Sequence, residues 1–306
     1  MRRAIPFLCL AACSEQGLAS LGTFDSWVQP DVNVKADVLF VIDDSSSMAE
    51  EQERLAENFQ RFMEVLAETA ADYQLGVVTT DVSAEDAGVL RGGILTPDTP
   101  ALEQAFRDAV IAGTGGSRDE EGLAAAVLAT RPETNPGFVR EDSKLNAVFI
   151  SDEDDHSQGA VESYVERLAG VAGEEGFAAH ALVGDLPMGC ASGTSAADAG
   201  TRYLEATEMS AGLAESICAE DYSSLLTRVG LDVTGISDTF YLTRLPSPDT
   251  LEVLVEDVRI PEREDDGWTY DVGENAIVFH GRAVPRPGMG IEVKYTPWMG
   301  EEPETE

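Results

Sequence analysis

Apolar residues in this chain follow two periods that hand over near residue 246. Before that point, short continuous apolar runs at residues 36–43, 73–80, 145–150, 177–183 and 239–243 are rich in Val, Leu, Ile, Phe and Ala. Such runs mark strands buried on both faces. Between them lie segments whose apolar residues fall three and four apart. In residues 50–69, Leu55, Phe59, Phe62, Met63 and Leu66 share one helical face. Residues 102–111, 120–128, 159–171 and 219–229 also read as helices. Residues 83–99 are turn-rich, and 184–202 form a Gly-, Ala- and Ser-rich insertion. Strands alternating with helices predict a doubly wound, mainly parallel α/β sheet over residues 34–245. After residue 246 the period drops to two at 251–255, 268–270, 276–279 and 291–295, with Gly, Pro and Asp turns between. That predicts a small antiparallel β module over 246–298, followed by a disordered acidic tail at 299–306.

The first dozen residues read differently. Arg2 and Arg3 precede a short apolar stretch that ends in Leu10-Ala11-Ala12-Cys13. The stretch is too short for a stable transmembrane helix. It resembles a bacterial lipoprotein signal, which implies removal of residues 1–12 and acylation of Cys13. Ser14 and Glu15 follow instead of an inner-membrane retention Asp, which implies attachment to the outer membrane of a bacterial envelope. Residues 13–33 then read as a tether. With Cys9 removed and Cys13 acylated, Cys190 and Cys218 remain as a pair in an oxidising compartment, and a disulfide is expected. The three histidines, His156, His180 and His280, are too scattered for a zinc motif.

Charge narrows the partners. The chain has 57 Asp and Glu against 20 Lys and Arg, a net charge of −37 over 306 residues. Such a field repels nucleic acid and anionic lipid and concentrates cations. No nucleic-acid partner is expected, and membrane contact is expected only through the lipid.

Candidate chemistry begins where the first buried run stops, in Val38-Leu39-Phe40-Val41-Ile42-Asp43-Asp44-Ser45-Ser46-Ser47-Met48. Asp43, Ser45 and Ser47 form D-x-S-x-S at a strand C-terminus, the edge where open α/β sheets place ligand sites. One carboxylate and two hydroxyls on a tight turn make an all-oxygen donor set suited to Mg²⁺, Mn²⁺ or Ca²⁺. The alternative is helix capping, which favours the same residues. The segment Ser151-Asp152-Glu153-Asp154-Asp155 ends another buried run, and Gly115-Gly116-Ser117 precedes Glu121-Gly122-Leu123. In a parallel sheet the loops after residues 43 and 151 converge on one edge.

With these residues the chain resembles a von Willebrand factor A domain protein of the bacterial lipoprotein type. The resemblance covers about residues 36–245 and implies that family's Rossmann-like fold and its metal-ion-dependent adhesion site. The ligands implied are Asp43, Ser45, Ser47 and Asp152, with Ser117 in the place of the family's threonine and Thr114 as the alternative. Ser for Thr and Glu153 for a common Gly are departures from the family pattern. Asp44, Glu153, Asp154 and Asp155 would rim the cleft, as holders of a second ion or, preferably, as a solvated face. His156 reads as a surface residue, and Glu50 and Glu51 as acids that complement a helix dipole.

The function expected is divalent-cation-dependent binding, without catalysis, of a partner that presents an acidic side chain. Two rivals stand beside it. One is a metal-dependent phosphoester hydrolase that uses the clustered carboxylates. The other is a scaffold with a vestigial site, whose contact surface is the β module or the disulfide loop.

Overall fold

The computed structural model describes residues 22–30, 35–69, 71–117, 119–173, 176–193 and 195–298. Cys13, the signal segment and the acidic tail lie outside the described residues. A first strand, β1 (Thr23–Val28), precedes the long apolar run, which forms β2 (Lys35–Ile42). Then come α1 (Ala49–Thr69), β3 (Asp72–Thr79), α2 (Leu102–Val110), α3 (Gly122–Ala129), β4 (Lys144–Ile150), α4 (Val161–Ala172) and β5 (Phe177–Val183). The insertion carries a hairpin, β6 (Cys190–Ser192) and β7 (Ser195–Ala197), and then α5 (Thr201–Met209) begins. β8 (Ala214–Ser216) and α6 (Ser223–Thr234) complete the larger unit.

β2 sits inside a five-stranded sheet of order β3-β2-β4-β5-β8, and every neighbouring pair is parallel. Its alternate side chains serve two cores. Val38, Phe40 and Ile42 pack with Phe59 and Phe62 of α1, Phe106 of α2 and Val229 of α6. Leu39 and Val41 pack with Leu123 of α3, Leu168 of α4 and Tyr203 of α5. Helices therefore cover both faces, which is why the strands read as unbroken apolar runs instead of alternating ones. Burial of one such Phe or Leu stabilises the fold by roughly 1.5–3 kcal/mol.

The second unit is antiparallel. β9 (Thr239–Tyr241), β10 (Glu252–Val255), β11 (Val258–Ile260), β12 (Trp268–Asp271), β13 (Ala276–Phe279) and β14 (Gly290–Tyr295) form two sheets, of order β1-β14-β10-β11 and β12-β13-β9. Phe240, Val253, Trp268, Ile277, Phe279 and Val293 fill one core between them.

Several expectations change here. Residues 23–28, read as tether, pair as β1 along the whole of β14, from Thr23 opposite Tyr295 to Val28 opposite Gly290. Residues 239–241, read as a last strand of the parallel sheet, join β13 instead. α5, β8 and β11 were not anticipated, because short strands and a helix of mixed polarity leave little periodic signal. The expected helices at 120–128 and 219–229 start later, at Gly122 and Ser223. The parallel sheet and the expected antiparallel pairing are both present.

Candidate functional site

The C-terminal ends of β2, β3, β4 and β5 share one edge, and backbone bonds there tie the loops into register. The Asp43 N–H donates to Ile150 O (2.9 Å), Thr80 N–H to Ile42 O (3.1 Å) and Ser151 N–H to Leu182 O (3.3 Å). Asp43 and Asp152 thus leave adjacent parallel strands side by side.

Asp43 is fully buried. Its Oδ1 accepts the Ser45 N–H (2.7 Å), which closes the tight turn, and its Oδ2 accepts the Ser151 hydroxyl (2.6 Å). That turn brings Ser45 Oγ within 3.1 Å of Ser47 Oγ. Ser47 reaches across the strands to hydrogen-bond the Asp152 carboxylate. One oxygen of that group, Asp152 Oδ1, is buried and has no hydrogen-bond partner by geometry. Burial pushes the Asp152 carboxyl up to about 6; the Ser47 bond opposes this, and Asp43, Glu153 and Glu51 add to it. Asp43, Ser45, Ser47 and Asp152 therefore form one group, as the motif predicts.

The other predicted residues divide. Ser117 Oγ accepts the Asp119 N–H (3.0 Å) within its own loop, and Thr114 is exposed. Among the described hydrogen bonds, none joins either residue to Asp43, Ser45, Ser47 or Asp152. Asp44 lies under the same loop. Gly116 N–H donates to Asp44 O (2.9 Å), and a Cβ on Gly116 would collide with the Asp44 carboxylate. Burial, then Asp81 and Asp43, raise Asp44 to about 6, and its Oδ1 has no partner.

Asp154 and Asp155 are not a solvated face. Asp155 is 2 % exposed. Its Oδ1 accepts the Leu123 N–H at the start of α3 (3.0 Å) and the Ser157 hydroxyl (2.7 Å), and its Oδ2 accepts Arg202 Nε–H (2.9 Å). Asp154 Oδ1 accepts the Arg202 N–H (2.8 Å). These two acids fasten the loop after β4 to α3 and α5. Glu153 is half-buried, its backbone N–H bonded to Ser151 Oγ (3.1 Å), and His156 is exposed as expected.

Three residues that sequence reasoning missed complete the site. Gln52 is 2 % exposed and donates through Nε2 to Asp43 O and Gly113 O, both at 2.9 Å, which pins the first loop to the second. Glu51, taken for a dipole partner, is buried; Oε1 accepts the Ser195 hydroxyl of β7 (2.7 Å), and Oε2 has no partner. Glu120, read as the first residue of a helix, precedes it and is fully buried. Its Oε2 accepts the Thr80 hydroxyl, its Oε1 has no partner, and burial followed by Asp43 raises its carboxyl to about 8. The only signal for Glu51 and Gln52 was their place one turn past the motif.

The expected Cys190–Cys218 disulfide is present. It holds the β6–β7 hairpin beside the site, and just beyond it the Asp198 N–H donates to Asp152 O (2.8 Å).

Hydroxyls, carboxylates and partnerless buried oxygens at one strand edge fit a hard divalent cation, whose charge would offset their mutual repulsion. Among the described residues, no three His, Cys, Asp or Glu side chains are grouped to hold a metal by themselves. A D-x-S-x-S donor set has another composition, with hydroxyls in place of a third acid or imidazole.

No family model and no curated protein matches the chain. Among solved structures it is similar to the pilus adhesin SpaC from Lactobacillus rhamnosus GG in its open conformation, at 11% identity and a TM-score of 0.48 over 92% of this chain and 41% of that one. It is also similar to proximal thread matrix protein 1 from the mussel byssus, at 15% identity and a TM-score of 0.41 over 71% of this chain and 51% of that one. The chain thus spans well under two thirds of either protein, and at these scores neither likeness carries an argument about function.

Proposed function

We propose that this chain is a von Willebrand factor A-type binding protein that holds a divalent cation and, through it, recognises an acidic group on a partner. The single observation that carries the reading is the meeting of Asp43, Ser45, Ser47 and Asp152 at the C-terminal edge of a parallel sheet, with Asp152 Oδ1 buried and unpaired. Ser45 and Ser47 would supply neutral donors, and Asp43 and Asp152 would supply charge, directly or through water. The ion, when bound, supplies an electrophilic corner for a carboxylate from another molecule. The chain's own part is rigidity: Ser151 and the Ser45 N–H orient Asp43, and Gln52 holds its backbone. The proposed setting is a bacterial envelope, the outer membrane, with Cys13 as the lipidated residue.

The test is calorimetric titration of Mg²⁺, Mn²⁺ and Ca²⁺ into the full chain, beside Asp43→Ala and Asp152→Ala. One saturable ion, lost in both variants, is the expected result. Unaltered binding in either variant, or no binding by the parent at millimolar ion, overturns the reading. Phosphoester turnover with Mn²⁺ that disappears in Asp43→Ala would replace it with a hydrolase.

A further inference from the structure

Asp185 to Gly189 form a turn directly after β5, at the sheet edge that carries Asp43 and Asp152, and the turn exposes apolar side chains. Leu186 is 58 % exposed and Met188 86 %, with Pro187 exposed between them. Apolar residues scattered singly over a surface need no explanation, but consecutive ones on a fixed turn do.

The turn is held rigidly from below. Gly189 N–H donates to Asp185 O (2.7 Å), which closes it, and the Ser216 hydroxyl donates to the Asp185 carboxylate (2.9 Å). Gly200 N–H donates to Gly184 O (3.0 Å). Both ends of the turn lie so close to the following segment that only glycine fits. A Cβ on Gly184 would collide with Asp198 O, and one on Gly189, at φ 87°, with Ala197 O. Cys190, the next residue, carries the disulfide to Cys218. Asp198 is also the residue whose N–H bonds Asp152 O (2.8 Å), so one short segment of backbone supports both the turn and the proposed cation site. A loose loop would let Leu186 and Met188 fold back onto the protein; this mounting keeps them in water at the site's edge.

Charge gives the turn a use. An acidic partner meets a chain of net charge −37, and long-range repulsion opposes the encounter. Contact with the ion alone also selects poorly, because any carboxylate satisfies it. Specific interfaces take most of their affinity from a few buried anchor side chains, and methionine adapts to the shape of what it meets. We propose that Leu186, Pro187 and Met188 are the apolar half of the recognition surface, and that the partner is a polypeptide with a large aliphatic or aromatic side chain close to its acidic one. The inference rests on the cation-binding reading above and names the partner's chemistry.

The experiment pans a displayed library of random peptides over the immobilised full chain in Mn²⁺ and elutes with EDTA. Leu186→Ser/Met188→Ser and Asp43→Ala are treated in the same way, and the ion affinity of each protein is measured by calorimetry. The double variant alters only exposed side chains, so its thermal midpoint and ion affinity are expected to match the parent. Peptides that EDTA releases from the parent are expected to carry Asp or Glu together with Leu, Ile, Met, Phe or Trp at a recurring spacing. The double variant is expected to keep the acid and lose the apolar preference, and to bind a parent-selected peptide with affinity lower by about tenfold or more. Asp43→Ala is expected to release none with EDTA. Equal affinity of that peptide for parent and double variant, no apolar preference among the parent's peptides, or no EDTA-released peptide at all overturns the proposal, while the cation reading stands on the parent's ion titration. A parent dimer, seen by sedimentation, that becomes monomeric in the double variant assigns the turn to a second copy and also overturns it. Absence of ion binding by the parent removes both.

Discussion

Single side chains in this molecule are governed by whether burial is answered by a partner. Asp155 and Arg202 answer each other at 2.9 Å. Asp37, fully buried at the start of β2, is answered by the Arg140 N–H and Nε–H, both at 2.8 Å. Asp152, Asp44 and Glu120 each keep an oxygen unanswered, and all three lie at the proposed cation site. His180 shows the same logic with the opposite charge. Its Nδ1 accepts the Leu213 N–H (3.1 Å), a role only the unprotonated nitrogen can fill, and burial, opposed by the Asp232 carboxylate 3.5 Å from Nε2, lowers its pKa from 6.5 to about 4. A lowered folded value means the unfolded chain takes up the proton first. Stability is then full above pH 6.5 and lost as pH falls through 4, on the order of 3 kcal/mol in all. Urea unfolding at pH 7.5 and pH 4 is expected to show a larger loss for the parent than for His180→Gln, and equal losses would refute this account.

At the scale of elements, the site is a set of loops that other elements hold in place. Gln52 joins the loops at residues 43 and 113, Arg202 clamps the loop after β4, and the segment after the β6–β7 hairpin bonds Asp152 O. The disulfide ties that hairpin to residue 218 across a separation of 28 residues. Loop closure of that length stabilises by roughly 3–4 kcal/mol in the chain-entropy picture. The Cys190→Ser/Cys218→Ser pair is expected to lower the unfolding free energy by that order, read as a lower denaturation midpoint, and to weaken ion binding, because the segment holding Asp152 loosens. A lower midpoint with unchanged ion affinity would mean that the disulfide only staples the loop. Gly116 is a local counterpart. Gly116→Ala must displace the Asp44 carboxylate, and calorimetry is expected to show altered ion affinity in a folded protein.

Across the whole molecule, the ends of the described chain close on each other. β1 pairs with β14, and Asp25 of β1 accepts the Tyr295 hydroxyl (2.6 Å), the Thr243 N–H (2.9 Å) and the Thr243 hydroxyl (2.7 Å). Gln29, fully buried, donates to Ser237 O (2.8 Å) just past α6 and to Pro285 O (2.9 Å) in the β module. A segment that read as tether is therefore structural. Asp25→Ala is expected to cost about 1–3 kcal/mol for each buried donor left unpaired, read as a lower thermal midpoint. An unchanged midpoint would show that water replaces the carboxylate. The net charge of −37 acts at this scale as well: it concentrates cations around the molecule without selecting a site for one.

Local and periodic information was enough for much of this. Unbroken apolar runs separated by amphipathic helices imply a parallel sheet covered on both faces, because only such a sheet buries every side chain of a strand. The placement of D-x-S-x-S and Ser-Asp at strand ends implied that Asp43, Ser45, Ser47 and Asp152 meet, since parallel strands put their C-termini on one edge. The two cysteines beyond residue 13 implied their bond. Partners far apart in sequence left no such trace. Nothing near Glu120 foretells Thr80 or Asp43, nothing near Asp155 foretells Arg202, and nothing in residues 23–28 foretells β14. Those choices depend on which groups the folded chain shuts away from water together, and only the tertiary structure decides that.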